Sequence, residues 1–255
     1  MQRYFIPKEQ FGSTSVRIEG DDAHHLVRVM RAQAGNKIIV SDGLSREALA
    51  QITEVDKAVV TAAIIEERPM TAEPRIQVWV AQSLPKADKM ETVIQKGTEI
   101  GAARFLPFVS ERTVVQYDAK KETKRTQRWQ KIAKEAAEQA HRNRIPVVEG
   151  VHSWKQILEQ AARMDAAWIC YEKEDSLQIR DALFQADALK RNDDKPVRIM
   201  LIVGPEGGFT EKEIEQAEES GCRSIGLGTR ILRTETAAMV GLTCILYETG
   251  EIGGK

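Results

Sequence analysis

The chain has 255 residues, of which 42% are apolar and 29% charged, with a formal net charge of −1. This composition excludes a disordered polyelectrolyte and supplies a packed core, and the length allows one large domain or two smaller ones. A nearly neutral chain is no global nucleic-acid binder, so any basic surface must be local.

Short strand candidates fill the first seventy or so residues. Residues 3–6 are the first. Asp21 and Asp22 stand where they can cap a short helix over 23–31, with Leu26, Val27 and Met30 on one side. Strands follow at 37–40, 46–55 and 58–65, separated by turn signals at Gly35-Asn36, Asp42-Gly43 and Asp56-Lys57. Strands at this spacing predict a small barrel. Residues 67–74, with Pro69 and Pro74, form the candidate linker.

Beyond it strands and helices alternate. A strand at 75–81 precedes a helix over 86–100, with Met90, Val93, Ile94 and Gly97 on one face and Gly101 as its stop. A strand at 104–109 is followed by a long helix over 120–141, where Trp129 falls at core spacing. A helix at 153–163 leads to a strand at 166–171, and the apolar run 197–203 predicts a strand buried on both faces. Thr210 and Glu213 predict a capping box. A strand at 222–227 and a last helix over 234–249, capped by Thr234, complete the chain. The alternation implies an α/β domain with a largely parallel sheet and helices on both faces. The expected division is 1–72 and 73–255, without internal repeats.

Cys170, Cys222 and Cys244 are odd in number and widely spaced, which argues against a disulfide framework or paired zinc ligands. Cys170 and Cys244 lie in apolar runs and read as small buried hydrophobes. No run reaches the roughly 18 apolar residues of a membrane span. Residues 1–7 lack the apolar centre of a signal peptide, so the expected compartment is the cytoplasm.

Ligands of open parallel sheets bind beyond the carboxyl ends of the strands. Three such ends are unusual: 82–85, the glycine-rich 204–210, and 226–237. A phosphate-binding loop would need G-x-x-x-x-G-K-[ST], which does not occur. Gly226-Leu227-Gly228 opens a dinucleotide fingerprint, but Ile231 stands where its third glycine belongs. What is left is a main-chain pocket for a ligand with hydrogen-bonding edges, against the blander reading of a tight turn over a buried strand. Ile231 and Leu232 read equally well as hydrophobic anchors. Arg230 and Arg233 call for an anionic partner.

Gly204-Pro205-Glu206-Gly207-Gly208-Phe209-Thr210 followed by Leu227-Gly228-x-Arg230-Ile231-Leu232-Arg233-Thr234-Glu235-Thr236-Ala237 resembles the signature of the ribosomal RNA small subunit methyltransferase E family, in the SPOUT superfamily. The resemblance runs the length of the chain. It includes His24-His25-Leu26-x-x-Val29-Met30-Arg31, with Met30 where leucine is more usual, Lys96-Gly97-x-Glu99-x-Gly101, and Glu138-Gln139-x-x-Arg142-x-x-x-Pro146.

The resemblance implies a PUA-like RNA-binding β-barrel before a SPOUT domain with a deep trefoil knot, an exception to the rule against knotted chains. It implies a homodimer that uses S-adenosylmethionine to methylate N3 of one uridine in 16S rRNA, within the assembled small ribosomal subunit. Carried onto this chain, the cofactor-binding residues are Leu84, Ile202, Gly204, Pro205, Glu206, Gly207, Leu227, Gly228, Ile231, Leu232, Thr234 and Ala237.

Methyl transfer from a sulfonium needs no metal. It needs N3 held in line and its proton removed. Glu206 and Glu235 are candidate bases, with a structural role in the loops as the alternative, and Arg233 is a candidate cation for an anionic uracil oxygen. Between residues 112 and 144 ten Lys/Arg face four Asp/Glu, a local excess suited to phosphate or to a solvated helix face. Arg142, Arg144 and Arg230, with His24, His25, Arg28 and Arg31 near the start, are the candidate RNA contacts. The adjacent histidines lack a partner at metal-ligand spacing. Competing readings are a non-catalytic RNA-binding module and a SPOUT enzyme acting on another RNA, such as transfer RNA.

Overall fold

The β-branched runs of the first seventy residues pair into one five-stranded sheet: β1 (Arg3–Phe5), β2 (Ser15–Glu19), β3 (Lys37–Ser41), β4 (Glu47–Val55) and β5 (Val59–Arg68), in the order β1-β3-β4-β5-β2. The structure, a computed structural model, describes residues 1–115, 118–190 and 195–254. In this sheet β1 runs parallel to β3 and the other pairs are antiparallel. Strand β2 has no counterpart in the predicted elements, although its alternation of exposed and buried residues is the half-buried strand pattern. Its Val16 and Ile18 are fully buried beside Val40, Ala50, Ile52 and Val60.

The helix expected over 23–31 is two shorter pieces, α1 (Gly20–His24) and a π turn over His25–Val29. Glu19 occupies the N-cap position without a side-chain cap, while Asp21 and Asp22 lie in the first turn, where the helix dipole favours acids. The wider turn keeps Leu26 at 1% exposure while Arg28, Val29 and Met30 face outward. Arg31 then reverses the chain at φ 50°, a left-handed conformation that is uncommon outside glycine.

Internal contacts divide the molecule into two compact units: Met1–Glu73 with Ala137–Ile145, and Pro74–Ala136 with the chain from Pro146 onward. The return of 137–145 to the first unit has no precedent in a simple division at residue 72. Buried polar contacts account for it. Glu73 accepts from the Arg142 guanidinium at 2.6 Å and from the backbone N–H groups of Asn143 and Arg144 at 2.9 and 3.0 Å. Asn143 also donates to Glu47, whose other oxygen holds Arg3 at 2.8 Å. Buried charges persist only when paired in this way.

The second unit carries β6 (Ile76–Ser83), β7 (Arg104–Val109), β8 (Val147–Val148), β9 (His152–Ser153), β10 (Ala166–Cys170), β11 (Val197–Val203) and β12 (Arg223–Ile225). The order is β12-β10-β11-β6-β7-β8, with β9 also on β7, and every pairing is parallel. Strand β11 is buried throughout except at Arg198, as its unbroken apolar run requires. Its alternate side chains serve two layers. Met200 and Ile202 join a core with Ile157 and Ala161 of α4 (Trp154–Ala161) and Ile214 and Ala217 of α6 (Glu211–Glu219). On the other face α2 (Lys89–Ile100) and α7 (Thr234–Glu248) pack together, and Leu201 meets Gly241 of α7.

The long helix is α3 (Ala119–Gln139), with Trp129 1% exposed in the core as its spacing predicted. A further short helix, α5 (Ile179–Gln185), was not foreseen, nor were β8 and β9, which have two residues each. Helix α2 begins three residues later than expected and ends at Gly101, φ 127°. Cys170 and Cys244 are half-buried rather than core, whereas Cys222 is buried.

Candidate active site

Three neighbouring parallel strands, β12, β10 and β11, end at nearly one level: Cys170 is in register with Ile225, and Ile169 with Ile202. The loops that leave them, 171–178, 204–210 and 226–233, surround a cavity of about 590 Å³.

Each loop is held by its own residues. In the first, Glu174 accepts from the backbone N–H groups of Ser176 and Leu177 at 2.8 and 3.0 Å. These bonds, led by that from the Ser176 hydroxyl, keep its carboxyl below the usual range. In the second, Gly208 N–H closes a turn on the Pro205 carbonyl at 2.9 Å. Arg112 donates to the Gly207 carbonyl at 2.8 Å, and Thr210 and Glu213 form the expected capping box. Phe209, 2% exposed, anchors the turn between Trp154 and Phe108.

The third loop lies on the first. Gly226 N–H donates to the Leu177 carbonyl at 2.9 Å, Ile179 N–H to the Gly226 carbonyl at 3.0 Å, and Gly228 N–H to the Gln178 side chain at 3.0 Å. Gly226 has no room for a side chain: a Cβ there would stand 2.7 Å from the Glu174 carbonyl oxygen.

Thr234 does not cap α7. It is the first helical residue, and Arg233 takes the N-cap position without a side-chain cap. The Thr234 hydroxyl is already committed, donating to the Gly204 carbonyl at 2.6 Å and accepting from Gln82 Nε2 at 2.8 Å. It thereby joins β6, the glycine turn and α7. Thr234→Val keeps the shape but removes both bonds, leaving the Gly204 carbonyl only a 3.4 Å contact from Gln82 Nε2, which itself keeps the Ser83 carbonyl. Unfolding in urea should therefore lose about 1–3 kcal/mol, and a loss near zero would refute the tie.

The cavity brings together Gly204, Pro205, Glu206, Gly207, Leu227, Gly228, Ile231, Leu232, Thr234 and Ala237, with Arg230 and Arg233. Ile231 is 91% exposed, so it is no hydrophobic anchor. Two expected wall residues are absent. Ile202 is fully buried in the core beneath α4 and α6, and Leu84, 2% exposed, is held against β7, its N–H donating to the Phe108 carbonyl at 2.9 Å. In their place stand Lys89 and the loop after β10, including Tyr171, Glu172, Glu174 and Asp175. The end of the predicted strand at 166–171 pointed to that loop. Its place beside both glycine loops depends on strand order, which local pattern does not reveal.

The charges are unevenly matched. Lys89 Nζ lies 2.8 Å from Glu206 and 3.4 Å from Glu235. Burial would raise the Glu206 carboxyl, but the hydrogen bond from Lys89 and the N–H of Lys86 outweigh it and hold it below the usual glutamate range. The tie is present above that ordinary range and is lost only as pH falls through the lowered folded value. Lys89 is raised in turn, first by its bond to Glu206. Arg230 and Arg233 are exposed, and their guanidinium groups make no hydrogen bond or ion pair among the described residues. Two unanswered guanidinium groups beside a main-chain pocket suit an anionic ligand.

The other candidate contacts separate by burial. His24, Arg28, Arg31 and Arg144 are exposed. His25 is half-buried and shares a 2.8 Å hydrogen bond with Tyr4, whose hydroxyl burial pushes well above its ordinary value. Arg142, 5% exposed, uses its guanidinium on Glu73 and is not free to meet a phosphate. The local cationic excess is likewise drawn down internally. Arg112 holds the glycine turn, while Arg125 and Arg128 reach Glu91 at 3.4 and 2.7 Å.

A family model described as "RNA methyltransferase domain" matches residues 72–246, and one described as "RNA methyltransferase PUA domain" matches residues 18–65. The chain is 42% identical over its whole length to the ribosomal RNA small subunit methyltransferase E of Bacillus subtilis, covering 99% of that protein. It is 31% identical to the one from Mycobacterium bovis, over 89% of this chain and 84% of that protein. A crystal structure of the ribosomal RNA small subunit methyltransferase E from Neisseria gonorrhoeae bound to S-adenosyl methionine superposes with a TM-score of 0.84 at 29% identity, over 97% of this chain and 98% of that one. With its cavity walled by the two signature loops, and relatives matched from end to end, the chain belongs to the ribosomal RNA small subunit methyltransferase E family.

Proposed function

We propose that this chain transfers the methyl group of S-adenosylmethionine to N3 of one uridine in 16S rRNA of the small ribosomal subunit. The observation that carries the reading is the cavity at the ends of β10, β11 and β12. Its volume, about 590 Å³, is in the range of small-molecule sites. Leu227, half-buried at the cavity wall, offers apolar surface for a purine, and the glycine turns bring main-chain polar groups within reach of it. The residues present therefore fit the cofactor. When bound, S-adenosylmethionine supplies an electrophilic methyl group on a sulfonium, without a metal.

The protein's part is to align N3 and help its proton leave. Arg233, exposed and unpaired at the start of α7, is placed to stabilise negative charge on a uracil oxygen. Glu206 is a weaker candidate for a base, because a carboxylate tied to an ammonium is a poorer proton acceptor, and Glu235 shares the same Lys89 at 3.4 Å. We assign them to holding Lys89 and the glycine turn.

His24, Arg28 and Arg31 on the first unit, and Arg144 of its 137–145 segment, would meet RNA phosphates or bases. Arg230 would do so at the rim of the cavity. His25 and Arg142 would act beneath that surface, by holding Tyr4 and Glu73. The finer architecture belongs to the same proposal: closure of the first sheet into a PUA-like barrel, a deep trefoil knot in the second unit, a homodimer, and action on the assembled subunit in the cytoplasm. Among the described residues no helix is long and apolar enough to cross a membrane.

Mass spectrometry of ribosomal RNA from a strain lacking the chain tests the reading. Loss of a single N3-methyluridine from 16S rRNA, restored by the intact chain, is expected. An unchanged content of that nucleoside would overturn it. Cofactor binding without such a loss would point to another RNA.

A further inference from the structure

Glu172, Glu174 and Asp175 give the cavity an acidic wall after β10, and they are not equivalent. Glu174 is committed to the backbone of its own loop. Asp175 is exposed, with no partner among the described residues. Glu172 is exposed as well, but its carboxylate is set directly against the glycine turn. A Cβ at Gly208 would stand 2.8 Å from its Oε1 and 3.2 Å from its Oε2. Gly208 has φ +65°, so the missing side chain serves both the turn and the space the carboxylate occupies.

No cation answers Glu172. Among the described residues it makes no hydrogen bond or ion pair, and its neighbour Lys173 reaches Glu211 instead, at 3.1 Å. Of the cations that line the cavity, Lys89 is paired with Glu206 and Glu235, and neither Arg230 nor Arg233 forms an ion pair with Glu172. The carboxylate beside the main-chain turn is thus unpaired.

We propose that Glu172 recognises the positive charge of the cofactor, carried by its sulfonium and its α-ammonium. The proposal rests on the cofactor reading above and adds a specificity-determining residue to it. A carboxylate here favours the charged donor over neutral adenosine thioethers that fill the same space.

Calorimetry on the intact chain and on Glu172→Gln, with three probes, tests this. S-adenosylmethionine carries both charges, S-adenosylhomocysteine only the ammonium, and 5′-methylthioadenosine neither. The variant should bind S-adenosylmethionine about tenfold or more weakly and methylthioadenosine as the intact chain does, which also shows that the cavity is folded. A parallel loss for S-adenosylhomocysteine assigns the contact to the ammonium, and an undiminished affinity assigns it to the sulfonium. Unchanged affinity for S-adenosylmethionine, or an equal loss for methylthioadenosine, overturns the role of Glu172 and leaves the cofactor reading standing. Failure of the unaltered chain to bind S-adenosylmethionine overturns both.

Discussion

Gly226→Val is expected to abolish cofactor binding, raising the Kd at least about a hundredfold. The first added carbon would stand 2.5 Å from Gln178 Nε2 and 2.7 Å from the Glu174 carbonyl oxygen. The glutamine could swing away, but that would release the Gly228 N–H it holds. The carbonyl belongs to the backbone and moves only with its loop. Retreat of that loop breaks the bonds joining Gly226 to Leu177 and Ile179, which hold the first and third walls of the cavity together. Titration calorimetry with S-adenosylmethionine measures the effect, and circular dichroism reports whether the sheet persists. An affinity within threefold of the unaltered chain would show that the cavity does not depend on this contact.

Arg233→Ala should leave cofactor affinity unchanged and slow methyl transfer about a hundredfold, the loss typical of removing one group that stabilises developing charge. The guanidinium is exposed and unpaired among the described residues, so its removal leaves no buried partner and stability should hold. The pH profile separates catalysis from RNA holding. A cation beside a uracil oxygen favours the N3 anion and lowers its pKa, so without it the rising limb of the rate profile should move to higher pH. A variant that merely raises KM and keeps its pH profile would assign Arg233 to phosphate binding instead.

Local pattern made much of the molecule legible. The alternation of apolar runs and helical faces gave most elements of both units to within a few residues. Thr210 and Glu213 announced their capping box, and Trp129 its burial. The glycine-rich string at 204–210 and the mixed string at 226–237 marked two walls of the cavity, because their chemistry is carried by neighbours in the chain. Strand β2 was legible and passed over, since its Ser-Val-Arg-Ile-Glu alternation is brief.

Strand order and burial decided the rest. Which strand ends meet depends on β10 lying between β11 and β12, a long-range pairing with no local signal. That order brought Glu172 to the glycine turn, while burial against Phe108 took Leu84 out of the wall. Arg142 and Arg144 stand two residues apart in one motif, yet one is sealed against Glu73 and the other is exposed. Glu206 and Glu235 looked like bases because both are acidic and near a pocket, until Lys89, more than a hundred residues earlier, proved to hold them. Residue type and spacing announce what a loop is able to bind. Whether a charge is free to act depends on what folds against it, and that is a property of contacts between distant segments.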